Sequence, residues 1–539
     1  MTDPSWKAMA ASIKADLASK FPDEWKLPPA SFPLPLDVSH LVEKSELLNA
    51  AELKIISLDA TGLGEAIASR KWTSVQVTMA YAKAATIVHQ ATNCLMDFFP
   101  DEAIERARWL DGELERTGRP VGVLHGVPVS IKAQIGVKGR LGTIGFIART
   151  RVIETEASLV TVLRQAGAVF MVKTCLPQAI MHLETDSFFG PTLNPFNRSL
   201  TAGGSSGGEG ALIAGKGSVL GSIGTDIGGS VRGPAALNGI YGFKPTNGRL
   251  PRGGGGMSTM WPQNTIMGTV GPMGRSARDL ELFMATVLAA RPWEFDQDCL
   301  KMPWRREEVH WINGKSPRIG VMWDDGVVRP QPPMRRALSI AVAKLRAAGL
   351  EVVKFEPYKS AEAWEIVSSL YFSDGGARVR QAAHDSGEPL LPLTEWILSQ
   401  NTTERTAEDI IQLGLRRERF RAEFLAHFNA ANVDVILCPP CPGPAPVLGT
   451  SKYWNYTALF NLVDYPGGSL PSGQSVNSSD FPDPEYSFAS ESDKEVWTAY
   501  DSPETFLGAP LGLQVVGQKY EDEKVLAALI VVSRIVQAH

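Results

Sequence analysis

The chain has 539 residues, of which 44% are hydrophobic and 21% charged, and this ordinary globular composition excludes a wholly disordered protein. A formal net charge of −5 argues against a nucleic-acid-binding protein, which usually carries a basic excess. The five cysteines are too scattered for a disulfide framework, and the longest apolar run near the carboxyl end, residues 525–532, is too short to span a membrane.

The first part of the chain predicts a helical extension. Helical periodicity runs through residues 7–19, prolines interrupt the segment 28–35, and a second helical pattern covers residues 73–90. We therefore divide the chain into an N-terminal helical extension, residues 1–60, and one large domain, residues 61–539.

Beyond residue 100, helical patterns alternate with short apolar segments. Three segments predict helices that each end before a glycine: residues 101–117, 158–166 and 334–348. Four apolar segments predict buried strands: residues 127–131, 168–173, 318–323 and 350–355. This alternation favours an α/β fold with a large mixed, mostly parallel sheet covered by helices on both faces.

The most informative stretch is rich in glycine and serine. It has two halves, residues 203–210 (GGSSGGEG) and 224–235 (GTDIGGSVRGPA). Dense glycine usually marks a close approach of the backbone to another group. A phosphate-binding P-loop fits poorly, because Gly217 stands where the Ser or Thr after the lysine is needed. Ser206 matches the centre of a nucleophile elbow, but no Asp or His follows in a recognisable setting.

A third interpretation places both halves beside a lysine. Lys132 ends the apolar strand predicted at residues 127–131. Burial there would disfavour the ammonium, so the pKa of Lys132 would fall and the side chain could act as a base. Taken alone, Lys132 fits an ordinary lysine that reaches solvent from a strand end better than it fits a catalytic base.

Together, Lys132 and the two glycine-serine motifs resemble the amidase signature family of Ser-Ser-Lys hydrolases, and fungal acetamidases in particular. Similar short segments include PDEWK at 22–26, TNC at 92–94, LHG at 124–126 and LGAP at 507–510. The similarity extends from residue 25 to about 517. Three separated motifs in the right order are far more specific than any single glycine pattern.

The resemblance implies a catalytic role for three side chains. Ser230 would attack an amide carbonyl, and Ser205, held by a cis peptide bond in the family, would relay its proton to neutral Lys132. Backbone N–H groups would form an oxyanion hole, contributed by Ile227, Gly228, Gly229 and Ser230. Four further residues are expected to support the loops: Ser206, Thr225, Asp226 and Arg232.

Two departures from the family pattern affect these assignments. The segment between the serines is one residue longer than usual near residues 215–217, so counting from Gly203 names Ser205 as the relay, whereas counting back from Ser230 names Ser206. We favour Ser205 because its GGSSGG context is intact. In addition, Ala133 stands where many relatives carry a carboxylate directly after the lysine.

The resemblance further suggests that Ile180 and Met181 line an apolar acyl side of the substrate pocket, although ordinary core packing fits them equally well. No metal or other cofactor is expected. The predicted protein is a cytoplasmic amidase, one option being a homodimer, that forms an acyl-enzyme on small aliphatic or aryl amides, with no nucleic-acid partner or membrane span. Two alternatives stay open: an ammonia-producing amidotransferase subunit, and a catalytically idle binding protein on the same fold.

Overall fold

A computed structural model describes residues 5–254, 265–309 and 316–538. Its strands are β1 (Leu95–Phe98), β2 (Pro128–Lys132), β3 (Leu141–Gly142), β4 (Arg151–Val152), β5 (Val169–Thr174), β6 (Leu193–Asn194), β7 (Asn197–Thr201), β8 (Leu220–Asp226), β9 (Tyr241–Lys244), β10 (Thr269–Gly274), β11 (Ile319–Val321), β12 (Val352–Lys354), β13 (Val435–Cys438), β14 (Gly467–Ser475) and β15 (Pro510–Val516).

The α-helices of the described residues are α1 (Trp6–Ser19), α2 (Leu41–Lys44), α3 (Ala50–Ser57), α4 (Ala60–Ala68), α5 (Ser74–Thr92), α6 (Pro100–Thr117), α7 (Ser158–Gln165), α8 (Gly207–Ala214), α9 (Arg232–Leu237), α10 (Ala277–Ala289), α11 (Pro332–Ala347), α12 (Ser360–Tyr371), α13 (Ala377–Ser386), α14 (Pro392–Ser399), α15 (Ala407–Ala431), α16 (Asn455–Leu462), α17 (Glu491–Thr498), α18 (Pro503–Phe506) and α19 (Asp522–Gln537). In this part of the chain, no helix combines the length and the apolar character needed to cross a bilayer.

Eleven of the strands described form one mixed sheet, in the order β1-β5-β2-β8-β10-β9-β14-β15-β13-β11-β12. Parallel pairs occur in two blocks, β5-β2-β8 and β13-β11-β12. The strands between these blocks, and the β1 edge, pair antiparallel. The predicted large mixed sheet is confirmed, with its parallel pairing concentrated where the sequence shows helix–strand alternation.

Helices cover both faces of this sheet, as predicted. Ser469 of β14 donates its hydroxyl to the carbonyl of Arg232 on α9, whereas a side chain at the preceding Gly468 would collide with Leu529 of α19. Successive residues of a strand point to opposite faces, so α9 and α19 lie on opposite sides.

Glycines end the predicted helices for a steric reason. Gly118 caps α6 with a φ of 70°, and Gly167 and Gly349 follow α7 and α11 with φ values of 96° and 84°. Only glycine adopts this left-handed conformation without a steric penalty, so these positions stop each helix and turn the chain toward the next strand.

The N-terminal region is helical, and α1 with the residues just after it packs against the β1 edge of the sheet. Phe21, just beyond α1, stacks on Phe98 of β1 at a ring distance of 4.8 Å, and Lys20 pairs with the buried Asp97 at 2.8 Å. The helical run continues through α4 and α5, and the division at residue 60 stays a prediction.

The fold brings the predicted motifs to one edge of the sheet. β2 and β8 are parallel neighbours, and the chain leaves β2 at Lys132 and leaves β8 at Asp226. The carboxyl ends of parallel strands meet at the same edge, which is where α/β sheets commonly bind ligands. Lys132 and the loop that carries Ser230 therefore lie side by side.

Candidate active site

Lys132 occupies the end of a strand that is buried along its whole length. Its Nζ lies 2.6 Å from Ser205 Oγ, 3.0 Å from Ser206 Oγ and 3.3 Å from Thr225 Oγ1. Burial lowers the pKa of Lys132 from 10.5 to about 7, although the negative charges of Glu209 and Asp226 act in the opposite direction. A large fraction of this lysine is therefore uncharged near neutral pH and can accept a proton from a neighbouring hydroxyl.

The loop before α8 presents both serines to the lysine. The Gly204–Ser205 peptide bond is cis, and a side chain at Gly204 would collide with the His182 carbonyl. Thr185 fixes this loop, because its Oγ1 accepts from the Gly207 N–H and donates to the Gly203 carbonyl, both at 2.9 Å. Ser205 lies nearer to the lysine than Ser206 does, but both are within hydrogen-bond reach.

The extra residue expected between the two serines falls in the turn that joins α8 to β8. Lys216 adopts a left-handed φ of 68° there, and its ammonium pairs with Glu43. The turn is thus anchored away from Lys132, and it can hold an insertion without displacing the loop of Ser205.

The second loop runs from Asp226 at the end of β8 to Arg232 at the start of α9, and it carries Ser230. Asp226 and Arg232 form a fully buried ion pair at 3.0 Å. Burial alone would raise the pKa of Asp226, but the adjacent Arg232 guanidinium holds it well below its usual range, so the carboxylate stays charged. This carboxylate also accepts from the Val231 N–H at 3.2 Å, which ties the loop together around Ser230.

One predicted oxyanion donor is already engaged. The Gly229 N–H donates to Asp226 Oδ1 at 2.8 Å, so it points away from a substrate beside Ser230. This corrects the assignment of Gly229, because its N–H already donates a hydrogen bond to a carboxylate three residues earlier. Within the described residues, the N–H groups of Ile227, Gly228 and Ser230 donate to no backbone carbonyl.

Two side chains that the sequence analysis missed fix the same loop from the other side. Tyr371, at the end of α12, donates its hydroxyl to the Ile227 carbonyl at 2.7 Å, and Thr457 of α16 donates to the Gly228 carbonyl at 2.6 Å. In a trans peptide the N–H points opposite to the C=O. Tyr371 therefore orients the Gly228 N–H toward the other side of the loop.

A cavity of about 660 Å³ opens beside the two loops and includes Gly204 and Gly229 in its wall. Much of the wall comes from residues 440–457 and 492–499. Leu183 contributes to the wall, whereas the buried Ile180 and Met181 do not line this cavity. From this segment the cavity wall contains Leu183, which the sequence analysis did not name, instead of Ile180 or Met181.

Comparisons with known proteins agree with this geometry. The family model described as Amidase matches residues 76–526. The chain is 38% identical to an acetamidase of Aspergillus oryzae, with 98% of each chain covered, and 38% identical to an acetamidase of Emericella nidulans, with 97% of each covered. A solved fatty acid amide hydrolase matches it with a TM-score of 0.93 and 34% identity, covering 99% of this chain and 95% of the other. The chain therefore belongs to the Amidase family, the amidase signature enzymes that its motifs resemble, and it is a hydrolase of amide C–N bonds.

Proposed function

We propose that this enzyme cleaves an uncharged carboxamide through an acyl-enzyme on Ser230, with Ser205 relaying the proton to Lys132. The observation that carries the proposal is the 2.6 Å contact between Lys132 Nζ and Ser205 Oγ, in a setting that lowers the pKa of Lys132 to about 7. A neutral amine held against a hydroxyl is the arrangement that activates a weak nucleophile.

In the proposed reaction, Ser230 Oγ bonds to the amide carbon while its proton passes through Ser205 to Lys132. The N–H groups of Ile227, Gly228 and Ser230 would stabilise the oxyanion. The C–N bond then breaks as the leaving nitrogen takes the proton back along the same route. Water next attacks the ester carbon and gives its proton to Lys132 through Ser205. The bond from carbon to Ser230 Oγ then breaks, the proton returns to that oxygen, and the acid leaves.

The cavity favours an uncharged substrate larger than acetamide. Its volume lies in the range of pockets that enclose drug-sized ligands, roughly 300–1,000 Å³. The charged members of its described wall, Lys452 and Glu495, pair with each other at 3.1 Å. Trp364, Trp396 and Leu183 add apolar surface. We therefore place longer aliphatic and aryl amides ahead of acetamide as substrates.

A partner-free assay tests the proposal. The purified chain should hydrolyse amides unaided, with kcat/KM rising from acetamide to hexanamide and benzamide, because a hydrophobic pocket gains about 1–3 kcal/mol per added methylene. Ser230→Ala should abolish both hydrolysis and labelling by a fluorophosphonate. Hydrolysis that appears only with a partner protein would favour an amidotransferase subunit, and absence of labelling in the wild type would favour an idle binding protein.

A further inference from the structure

A carboxyl group with no part in the proposed reaction is bound to Ser130, two residues before Lys132. Glu209 belongs to the first turn of α8, four residues after Ser205, and its side chain is fully buried. Its two oxygens accept hydrogen bonds from two hydroxyls: Ser130 donates to Oε2, and Thr174 donates to Oε1 at 3.0 Å. A charged carboxylate can accept both bonds at once, so the setting suits the ionised form.

Three adjacent strands build the cradle that holds this carboxyl group. Thr174 of β5 pairs in register with Lys132 of β2, and Ser130 of β2 pairs with Gly221 of β8. Ser130 precedes Lys132 by two residues, so both point to the same face of the sheet. A Cβ at Gly221 would collide with Glu209 Oε2, so the glycine at this position leaves room for the carboxyl group.

The ionisable groups that act on Glu209 and Lys132 can be named one by one. Burial raises the pKa of Glu209 to about 7, while its two hydroxyl donors and the attraction of Lys132 oppose that rise. Asp226 also faces Lys132, but it is already neutralised by Arg232. The Cys94 thiol faces Glu209, and burial raises the pKa of that thiol to about 12, so it stays uncharged near neutral pH.

We propose that Glu209 is a positioning residue for Lys132: its carboxylate, held by Ser130 and Thr174, is the counter-ion of the ammonium that Lys132 becomes during acylation. This inference rests on the proposed function. The proton moves from Ser230 through Ser205 to Lys132 Nζ and returns the same way, and Glu209 neither gives nor takes it. A buried ammonium without a partner is costly, so a fixed carboxylate favours the state in which the base holds the proton.

The residue that follows Lys132 offers it no charge, because Ala133 is fully buried and apolar. In this enzyme a negative charge reaches the same lysine from helix α8 instead.

Glu209→Gln tests the inference, because glutamine keeps the shape and removes the charge. The readout is the rate of fluorophosphonate labelling of Ser230 between pH 5 and 9, which needs no knowledge of the natural substrate. In the wild type the labelling rate should fall at low pH as Lys132 becomes protonated, and we call this fall the acid limb. Since the carboxylate raises the pKa of Lys132, its removal should move the acid limb about one pH unit lower. The plateau rate should fall about tenfold, because the base holds the proton less tightly.

Two further variants keep the result interpretable. Ser130→Ala removes one hydroxyl from the carboxylate and should shift the acid limb in the same direction by a smaller amount, even if Glu209→Gln folds poorly. Asp279→Asn is the matched control, because Asp279 is also a buried carboxyl group that accepts from a hydroxyl, that of Thr61 at 2.9 Å. Its acid limb should coincide with that of the wild type.

The outcomes separate the inference from the proposed function. If wild type is labelled at Ser230 with an acid limb, and that limb is unchanged in folded Glu209→Gln and in Ser130→Ala, the counter-ion role is wrong and Glu209 is only structural. If wild type is not labelled at all, the proposed function itself fails.

Discussion

Two lysines lie on neighbouring strands of the central sheet, Lys132 at the end of β2 and Lys173 in β5. Both are fully buried, and burial lowers the pKa of each from 10.5 to about 7. Their surroundings differ. The Nζ of Lys132 meets the hydroxyls of Ser205, Ser206 and Thr225, whereas the Nζ of Lys173 donates to the Leu141 carbonyl at 2.5 Å.

The register of the two strands produces this difference. Lys132 pairs with Thr174, and Lys173 pairs with Ile131, so the two lysines point to opposite faces of the sheet. A carbonyl can only accept, so it offers Lys173 no proton to remove, whereas a serine hydroxyl offers one. A lowered pKa is therefore insufficient for catalysis, and the partner at the end of the side chain decides the chemistry.

The largest expected effect comes from removing each lysine in turn. Lys132→Ala should reduce kcat/KM about a thousandfold, because a general base contributes roughly 10²–10⁴. Lys173→Met should leave kcat/KM within about threefold of the wild type, as expected for a lysine outside the reaction. Thermal melting checks that both variants are folded. If both are folded and lose kcat/KM to a similar extent, the two lysines do not differ in the way proposed.

The two serines beside Lys132 provide the next comparison. Ser205→Ala should lower the rate of Ser230 labelling about 300-fold, because the proton loses its route to the lysine. Ser206→Ala removes a hydroxyl that sits 3.0 Å from the same Nζ, and it should cost about tenfold. The reverse order of effects would assign the relay to Ser206.

The pH dependence gives a smaller and distinctive effect. A base whose pKa is about 7 is half uncharged at pH 7 and loses its free form tenfold per pH unit below that value. The kcat/KM should therefore fall about 100-fold between its plateau and pH 5. Lys173→Met should retain this acid limb, since its own titration lies outside the reaction. A wild-type profile that is flat down to pH 5 contradicts the assignment of Lys132 as the base.

The smallest predicted effect concerns two tyrosines that bind backbone carbonyls. Tyr371→Phe releases the Ile227 carbonyl, so the Gly228 N–H is less well fixed and kcat should fall about tenfold with little change in KM. Tyr456→Phe is the control, because its buried hydroxyl donates to the Val328 carbonyl at 2.6 Å, away from the loop of Ser230. Each variant should lose about 1 kcal/mol of unfolding free energy, but kcat should fall in Tyr371→Phe alone.

The main elements of the fold could be predicted because their signals are local. Helix α6 and strands β2 and β5 have the expected periodicity and glycine stops, and the motifs around Lys132, Ser205 and Ser230 are contiguous in the sequence. The central antiparallel strands were not predicted. β10 and β14 are rich in glycine, with a composition that resembles a loop, and their pairing depends on partners far away in the chain.

The parts of the site that escaped prediction depend on long-range contacts. Glu209 is a single acidic residue in a glycine-rich segment. Nothing in that segment indicates that Ser130 and Thr174 donate hydrogen bonds to its carboxyl group. Tyr371 reaches Ile227 across 144 positions. The hydrogen bond from the Gly229 N–H to Asp226 depends on the exact turn of the loop, which the glycine pattern leaves undetermined.

The buried guanidinium of Arg232 binds side chains that are synthesised much later than the loop it belongs to. Two of its other hydrogen bonds go to Asn461 at 2.7 Å and Gln514 at 3.3 Å, which lie 229 and 282 positions later. A ribosome makes Lys132 and both serines long before it makes these two amides. The nascent polypeptide therefore carries its reactive groups without a finished scaffold, and the loop of Ser230 has all its braces only after residue 514 has been made.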